Sequence, residues 1–521
     1  MAVGITARRV HAPAMVWAIA VAVLVPIGIP LAYLLAQAFT VDAWSTVFSV
    51  RTLELLRNTI GLVVATTATA ASLGVSAAWL VERTDLPGRR VWSTLLALPL
   101  VIPSYVGALA ILSISGARGL LAEVAGLAAP QITGFAGAWL ALSLFTYPYV
   151  FLLASASLRN LDPSLEEAAR GLGARGWRVF RTVVLPQLRP ALASGGLLVG
   201  LYTLSDFGAV SLFRYDTLTR AVYTNFIGRV DRTPALALAA VLVVLALAAL
   251  ALEQRSRGRA QLHVRRAARR PRRIELSRRG RAVGMAFVTV LSLVALIIPA
   301  AVLAWWLVRG VGLGQDLGTV WRATGNSLLA SLLAGLAAMV AAVPVTVLTV
   351  RYRSRLTLAL EKGVWALYAL PHITVGIAMV FFAANYVQPL YQSLPLLTLA
   401  YVALFLPQAT SAGQAALQQV NPTLEEASRS LGHGWAATLT RITLPLIGPG
   451  LLAGGALVFL TVMKELPATL LLRPTGFDTL AIRIWATSAE GYFTRASAAA
   501  LILLAVSALP MYLLTARKSY A

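Results

Sequence analysis

The chain has 521 residues, of which 58% are hydrophobic and 12% charged, and its mean hydropathy is +0.77. This composition excludes an ordinary soluble domain and indicates an all-α integral membrane protein. The formal charge of +24 would suggest nucleic-acid binding in a soluble protein, but most basic residues lie between apolar runs, where they orient a chain in the bilayer. With no Cys and four scattered His, the sequence offers no disulfide, no thiol nucleophile and no firm metal site.

Apolar runs long enough to span a bilayer fall into two sets of six. In the first set, Asp206 interrupts the fifth run, and in the second set Lys464-Glu465 breaks the corresponding one. The first set comprises 14–36, 58–81, 91–117, 132–158, 190–213 and 234–252. The second comprises 282–308, 326–350, two helices within 363–424, 442–472 and 496–516. We therefore expect about twelve transmembrane helices in two parallel six-helix repeats.

A basic stretch separates the two sets. Residues 254–281 contain twelve Arg, which favours a solvated cytoplasmic linker between a first half, 1–253, and a second half, 282–521. A lipid-headgroup or nucleic-acid site is the alternative reading of this stretch.

The first apolar run, 14–36, is too long for the apolar core of a secretory signal, so we expect a retained membrane helix.

Placing the N-terminus inside puts most of the 44 Lys and Arg residues on the inner face, as the positive-inside rule requires. Both chain termini are then cytoplasmic. The charged segment 158–189 falls on the same face, and it stays in water because burying its charges in lipid would cost on the order of 25 kcal/mol.

The most informative feature is a segment that occurs twice. Residues 162–173 return as 421–432 at a constant offset of 259 positions (425 − 166), and we name 161–187 and 420–446 the first and second repeat segments. In each copy, Asp162 or Asn421 can cap a short helix that opens with Pro, and a later Gly can end it in a left-handed turn. An ordinary capped surface helix would have no reason to recur in register with its neighbours.

Two like-facing halves are the parallel-repeat arrangement of some transporters, with a pathway expected at their interface. Two matching cytoplasmic segments would suit a partner with two-fold symmetry. None of the three Lys residues follows a Gly, so the chain lacks the usual phosphate loop and any ATP must be handled elsewhere.

At this point the residues resemble a known family, the permease subunits of binding-protein-dependent ABC importers. Their signature is Glu-Ala-Ala, three residues, Gly, nine residues, Ile, one residue and Leu-Pro. The first copy matches at Glu167, Ala168, Ala169, Gly173, Leu185 and Pro186, with Val183 in place of Ile. The second matches at Glu426, Ala427, Gly432, Ile442, Leu444 and Pro445, with Ser428 in place of the second Ala.

The resemblance implies the fold of a type I ABC importer transmembrane domain in the bacterial inner membrane. It also implies that each repeat segment, including Glu166 and Glu425 beside the motif, couples to one subunit of an ABC ATPase homodimer on the cytoplasmic face. ATP and Mg would then be bound by that ATPase, and this chain would bind no cofactor and catalyse no reaction. An extracytoplasmic binding protein would deliver the substrate.

The fused form looks most like ferric-iron importer permeases. This resemblance rests on Ser205–Ser211 after the fifth run and on Lys464–Pro474 after the eleventh, which occupy equivalent places. Permeases for thiamine, sulfate, phosphonate and polyamine share the architecture and remain alternatives.

Acidic residues at these two places suggest a role in the pathway. Asp206 and Glu465, with Lys464 beside the latter, are costly near lipid and are expected to face a wet cavity or the bundle interior. Carboxylates are hard oxygen ligands that suit a highly charged cation. The structural alternative is that Glu465 pairs with Lys464 or Arg473 and that Asp206 caps a helix end.

Two rival functions remain at this stage. A secondary transporter driven by an ion gradient is also built from parallel repeats, but it needs ionisable residues inside the membrane, whereas here the repetition is concentrated in loops. A membrane-embedded enzyme would need a catalytic constellation, and the predicted helices offer none.

Overall fold

A computed structural model describes residues 13–38, 41–116, 119–127, 129–228, 231–257, 273–315 and 318–516, and these are almost entirely helical. The helices of the first half of the chain are α1 (Ala14–Ala38), α2 (Val41–Val47), α3 (Val50–Arg83), α4 (Arg89–Ala97), α5 (Ser104–Ile114), α6 (Leu120–Ala125), α7 (Gly134–Arg159), α8 (Pro163–Gly171), α9 (Gly176–Val179), α10 (Leu185–Ser205), α11 (Gly208–Leu212), α12 (Leu218–Gly228) and α13 (Thr233–Arg257). Those of the second half are α14 (Arg278–Ser292), α15 (Ile298–Gly312), α16 (Gly318–Arg351), α17 (Arg355–Ala369), α18 (His372–Tyr386), α19 (Leu394–Gln419), α20 (Pro422–Ser430), α21 (Trp435–Thr438), α22 (Leu444–Val462), α23 (Pro467–Leu472), α24 (Leu480–Ala489) and α25 (Phe493–Ala516).

Three π-helical turns join consecutive helices without a break. They are Phe180–Val184, Leu293–Ile297 and Leu439–Thr443. Two 3-10 helices, Leu98–Val101 and Gln388–Leu390, complete the described secondary structure.

Nine helical segments within the described residues are long and apolar enough to cross a membrane, and two bent helix pairs raise the number to eleven. A further, shorter apolar stretch, Phe493–Ser507 of α25, lies where the twelfth span is predicted. These helices confirm the predicted all-α membrane architecture of about twelve spans.

The apolar run 91–117 is not one continuous helix. α4 and α5 meet at a bend of 94°, at a break that contains Pro103. Proline lacks a backbone N–H and disfavours helical geometry in the residue before it, so the helix stops here. α17 and α18 bend by 102° around Pro371 in the same way.

The chain forms two compact units that do not follow the sequence halves. The first-half unit comprises the described residues of Thr40–Trp321 and Ala481–Ala505, and the second-half unit comprises those of Met1–Phe39, Arg322–Leu480 and Val506–Ala521. α1 therefore packs with the second-half unit, where Tyr33 lies edge-on to Tyr386 of α18 at a ring distance of 5.5 Å. The halves 1–253 and 282–521 describe the sequence repeat and stay a prediction.

In the first-half unit, α3, α7 and α10 pack closely at small residues. A Cβ on Gly74 of α3 would lie 2.8 Å from the backbone N of Phe151 in α7, and one on Gly195 of α10 would lie 3.1 Å from the Cα of Val150. Such close approach is typical of membrane helices, where association depends on van der Waals packing.

The second-half unit repeats this packing with α19 and α22. A Cβ on Gly454 of α22 would lie 3.0 Å from the Cα of Ala409 in α19. Both units thus use glycine at equivalent places to bring the helix after a repeat segment against its neighbour.

The end of the basic linker is held within the first-half unit. Ile274 forms an isolated parallel bridge with Thr84, the carboxylate of Asp85 accepts the backbone N–H of Leu276 at 3.0 Å, and Arg281 pairs with Asp85 at 2.5 Å. The hydrogen bond from Leu276 lowers the pKa of the Asp85 carboxyl below its ordinary value. Residues 258–272 of the predicted linker lie outside the described residues.

Candidate functional site

The two repeat segments have the same local structure, and their capping signals explain it. The side chain of Asp162 accepts the backbone N–H of Ser164 at 3.0 Å at the start of α8. Asn421 accepts the N–H of Thr423 at 3.1 Å at the start of α20. The bond from Ser164 also lowers the pKa of the Asp162 carboxyl below its ordinary value.

Each short helix ends as the sequence predicts. Gly173 has φ of +83° and Gly432 has φ of +85°, a left-handed conformation that favours glycine. A second short helix and a π-helical turn follow, and the chain then enters α10 or α22, with Pro186 and Pro445 in the first turn of those helices.

The adjacent glutamates of the first segment lie in different environments. Glu166 is buried, and both of its carboxylate oxygens accept from Nη2 of Arg83 at 2.5 Å. The two side chains are 5% and 2% exposed, respectively. Glu167, the next residue, is exposed.

The second segment makes the same division with different contacts. Nε of Arg351 donates to Oε2 of Glu425 at 3.1 Å, and the hydroxyl of Thr443 donates to Oε1 at 3.0 Å. Glu425 is buried and Glu426 is exposed. Arg351 also donates to the backbone carbonyl of Val420 at 3.0 Å.

Each repeat segment presents leucine to its surroundings next to the exposed glutamate. Leu165 and Leu172 are 53% and 89% exposed, and their equivalents Leu424 and Leu431 are 48% and 79% exposed. The same apolar side chain is thus exposed at equivalent places in both repeat segments.

The remaining predicted residues of the two segments are at least partly exposed. Those on the short helices are Ala168, Ala169 and Ala427, and those at the start of the following helices are Leu185, Pro186, Leu444 and Pro445.

Asp206 is buried between α10 and α11 and caps α11. Its Oδ1 accepts the backbone N–H groups of Ala209 at 3.0 Å and Val210 at 3.2 Å. Its Oδ2 accepts the hydroxyl of Ser104, the first residue of α5. Thr219 donates to its backbone carbonyl at 2.7 Å.

Glu465 has the equivalent role in the second-half unit. Its Oε1 accepts the backbone N–H of Ala468 at 2.9 Å, which caps α23, and Oε2 lies 2.6 Å from Nδ1 of His372. His372 is the first residue of α18, as Ser104 is of α5, so each acidic residue is tied to the helix that follows a bend. Lys464 is partly exposed.

The sequence predicts a packed or hydrogen-bonded His372, but it does not predict that Ser104 and His372 are the partners of these carboxylates. Ser104 and His372 both follow a proline at a bend, 268 positions apart (372 − 104), and this shared Pro-X pattern is the signal that could have found them. Within the described residues, no group of three or more His, Cys, Asp or Glu side chains could hold a metal ion. The structure therefore offers these carboxylates as helix caps.

Comparison with known proteins agrees with the repeat. Residues 70–259 and 334–517 each match the family described as binding-protein-dependent transport system inner membrane component. Each match contains one repeat segment.

Relatives of full and partial length support the same assignment. The Fe(3+)-transport system permease protein FbpB 2 of Haemophilus influenzae is 32% identical over 503 residues, covering 95% of this chain and 96% of that protein. A probable ABC transporter permease protein, y4fN, of Sinorhizobium fredii is 26% identical, covering 90% of this chain and 88% of that protein. The molybdenum transport system permease protein ModB of Escherichia coli is 33% identical over 159 residues, which cover 29% of this chain and 69% of ModB. With two copies of the family domain fused in one apolar, helical polypeptide, the chain belongs to the binding-protein-dependent ABC importer permeases of the inner membrane.

Proposed function

We propose that this permease passes ferric iron through the membrane in an ATP-driven importer, after an extracytoplasmic binding protein has delivered it. The observation that carries the ATP-driven part is the exposed surface repeated on the two repeat segments. The choice of ferric iron is supported by the relative of matching length that is named a Fe(3+)-transport permease.

The two repeat segments would dock one subunit each of an ABC ATPase homodimer on the cytoplasmic face. Each offers a short helix with exposed leucine and one exposed glutamate, and a pair of them suits a partner with two-fold symmetry. ATP and Mg would be bound by the ATPase. Closure of the ATPase dimer would move both segments and turn the permease from inward-open to outward-open, and hydrolysis would reset it.

Leu172→Ser with Leu431→Ser tests the docking surface. Both leucines are exposed, so the variant should fold normally but lose the ATPase during co-purification, because apolar contact area is removed from each dock. Leu127→Ser is the matched control. Leu127 is 63% exposed and precedes the N-terminal end of α7, whereas the first repeat segment follows the C-terminal end of that helix. ATPase retained by the double variant at the level of the control would contradict the docking role.

The substrate is tested on the binding protein that supplies this permease. Ferric iron should bind it, and thiamine, sulfate, phosphonate and polyamine should not. Molybdate belongs in the same panel, since a molybdenum permease is among the relatives. Tight binding of any of these in place of ferric iron would transfer the assignment to that substrate.

We further propose that Asp206 and Glu465 serve the pathway by holding its local backbone. Asp206→Asn and Glu465→Gln keep the size of the side chain and remove its charge, which weakens the bonds to Ser104 and His372. Each should reduce uptake while protein level and ATPase docking stay normal. Unchanged uptake by both variants would remove these residues from the pathway.

An ion-gradient-driven transporter is the competing function. Uptake by the ABC importer should survive collapse of the proton gradient and stop on ATP depletion, and the competing function predicts the reverse.

A further inference from the structure

The buried glutamate of each repeat segment has no part in the proposed docking surface. Glu166 and Glu425 are 4% and 5% exposed, whereas Glu167 and Glu426 are exposed and can reach a partner protein. A carboxylate is rarely buried unless it is paired, so the role of the buried residue lies within the chain.

Each buried glutamate pairs with the last residue of a 34-residue helix. Arg83 ends α3 and Arg351 ends α16, so each pair joins a repeat segment to the end of a long helix. The Arg83–Glu166 pair is almost completely shielded from water, so the loss of one partner would leave the other charge buried and unpaired.

Further contacts fasten the same elements together. In the first-half unit, the ring of Trp79, one turn before Arg83, lies edge-on to Phe180 at 4.9 Å, and Phe180 stacks on Trp177 at 5.3 Å. The first repeat segment is thus held to α3 near its beginning by the ion pair and near its end by aromatic rings.

The second repeat segment is fastened to α16 by hydrogen bonds. Arg351 binds the carbonyl of Val420 as well as Glu425, and Glu425 also accepts from Thr443 in the π-helical turn. The contacts differ between the two copies, but they join equivalent helices to equivalent glutamates.

We propose that the Arg83–Glu166 and Arg351–Glu425 pairs make each docking helix move as one body with α3 or α16. Force received at the exposed face of a repeat segment then reaches a membrane-spanning helix directly, in addition to the covalent path into α10 or α22. The four side chains are positioning residues, and the inference rests on the proposed function because it assigns the internal linkage of the docking segments.

The experiment uses the full chain assembled with its ATPase and binding protein in lipid nanodiscs. Glu166→Gln with Glu425→Gln should keep the ATPase bound at the wild-type ratio. Stimulation of ATP hydrolysis by the ferric-loaded binding protein should fall about tenfold, which is the usual range of coupling between linked sites, and uptake should fall with it.

Glu82→Gln is the matched control. Glu82 precedes Arg83 and pairs at 2.5 Å with Arg159; their side chains are 12% and 59% exposed, so this pair is more open to water than Arg83–Glu166. Because a pair of this kind contributes little, this variant should retain wild-type stimulation and uptake.

A second variant separates linkage from folding. Arg83→Met with Glu166→Leu, combined with Glu425→Gln, removes both charges of the first pair at once, so stability should recover relative to the glutamine variant, but the charged tie should not. If the glutamine variant lowers the protein level, the proposal is tested with this second variant instead.

Three results would overturn the proposal. The first is wild-type stimulation of ATP hydrolysis in the glutamine variant, and the second is recovery of that stimulation in the apolar variant. The third is loss of ATPase binding by the glutamine variant, which would make these residues part of the docking surface. Absence of ATP-dependent uptake in the wild-type complex would instead refute the proposed function.

Discussion

Replacing Gly74 of α3 with Ala adds one methyl group where α7 leaves no space for it. The new Cβ would lie 2.8 Å from the backbone N of Phe151 and from the Cβ of Val150, and 3.0 Å from the carbonyl oxygen of Tyr147. Because two of these three atoms belong to the backbone, α3 and α7 must move apart. Overpacking of this kind costs about 1–3 kcal/mol, while the better helix propensity of Ala returns up to about 1 kcal/mol. We expect a net loss of stability.

Gly61→Ala in the same helix is the control. A Cβ there meets no atom within 4 Å, so only the propensity gain of up to about 1 kcal/mol remains. Thermal unfolding of the detergent-purified chain, followed by size exclusion with tryptophan fluorescence, should rank Gly61→Ala at or above wild type and Gly74→Ala below it. A Gly74→Ala protein as stable as Gly61→Ala would refute the close α3–α7 packing.

Two further predictions concern the repeat segments. Arg83→Ala leaves Glu166 buried without its partner and should lower the free energy of unfolding by about 3–5 kcal/mol, against less than about 1 kcal/mol for Glu82→Gln; equal melting temperatures for the two variants would contradict the buried pair. The folded-state pKa of Asp162 is lowered, so its cap contributes fully above the ordinary pKa of the carboxyl and is lost as pH falls through the folded value. Below about pH 4, protection from hydrogen exchange, corrected for the intrinsic rate, should therefore fall at the start of α8 but not at α20, whose cap Asn421 does not titrate. An equal loss of protection in both helices would exclude this cap.

The parts of the molecule set by local chemistry could be predicted from the sequence. The caps Asp162 and Asn421 and the left-handed Gly173 and Gly432 act within a few residues of their own position, so their signals are complete in the sequence. The repetition at a fixed offset then identifies both repeat segments.

Contacts between distant residues could not be predicted in this way. Which of Glu166 and Glu167 is buried depends on where Arg83 lies, and Arg83 is 83 positions from Glu166. The pairing of Glu465 with His372 across 93 positions is of the same kind. Hydrophobic periodicity fixes which segments are helical, but it does not choose their partners.

Proline marks places where a membrane helix can break, but it does not decide which of those places bend. An uncharged run such as 91–117 reads as one span by length and hydropathy, and proline is tolerated in many membrane helices. α16 and α19 indeed continue through Pro344 and Pro407, whereas α4 and α5 separate at Pro103. The sequence does not distinguish these outcomes, because they depend on whether neighbouring groups satisfy the freed backbone.

The most direct measurement is uptake by proteoliposomes that contain this chain and its ATPase, with the ferric-loaded binding protein on one side and ATP on the other. The account predicts that iron accumulates only when ATP is supplied on the face that carries the repeat segments. It also predicts that accumulation continues after a protonophore collapses the proton gradient and stops in Leu172→Ser with Leu431→Ser. Accumulation at the normal rate without ATP, or in that double variant, would contradict the claim that the two repeat segments receive the force of a separate motor.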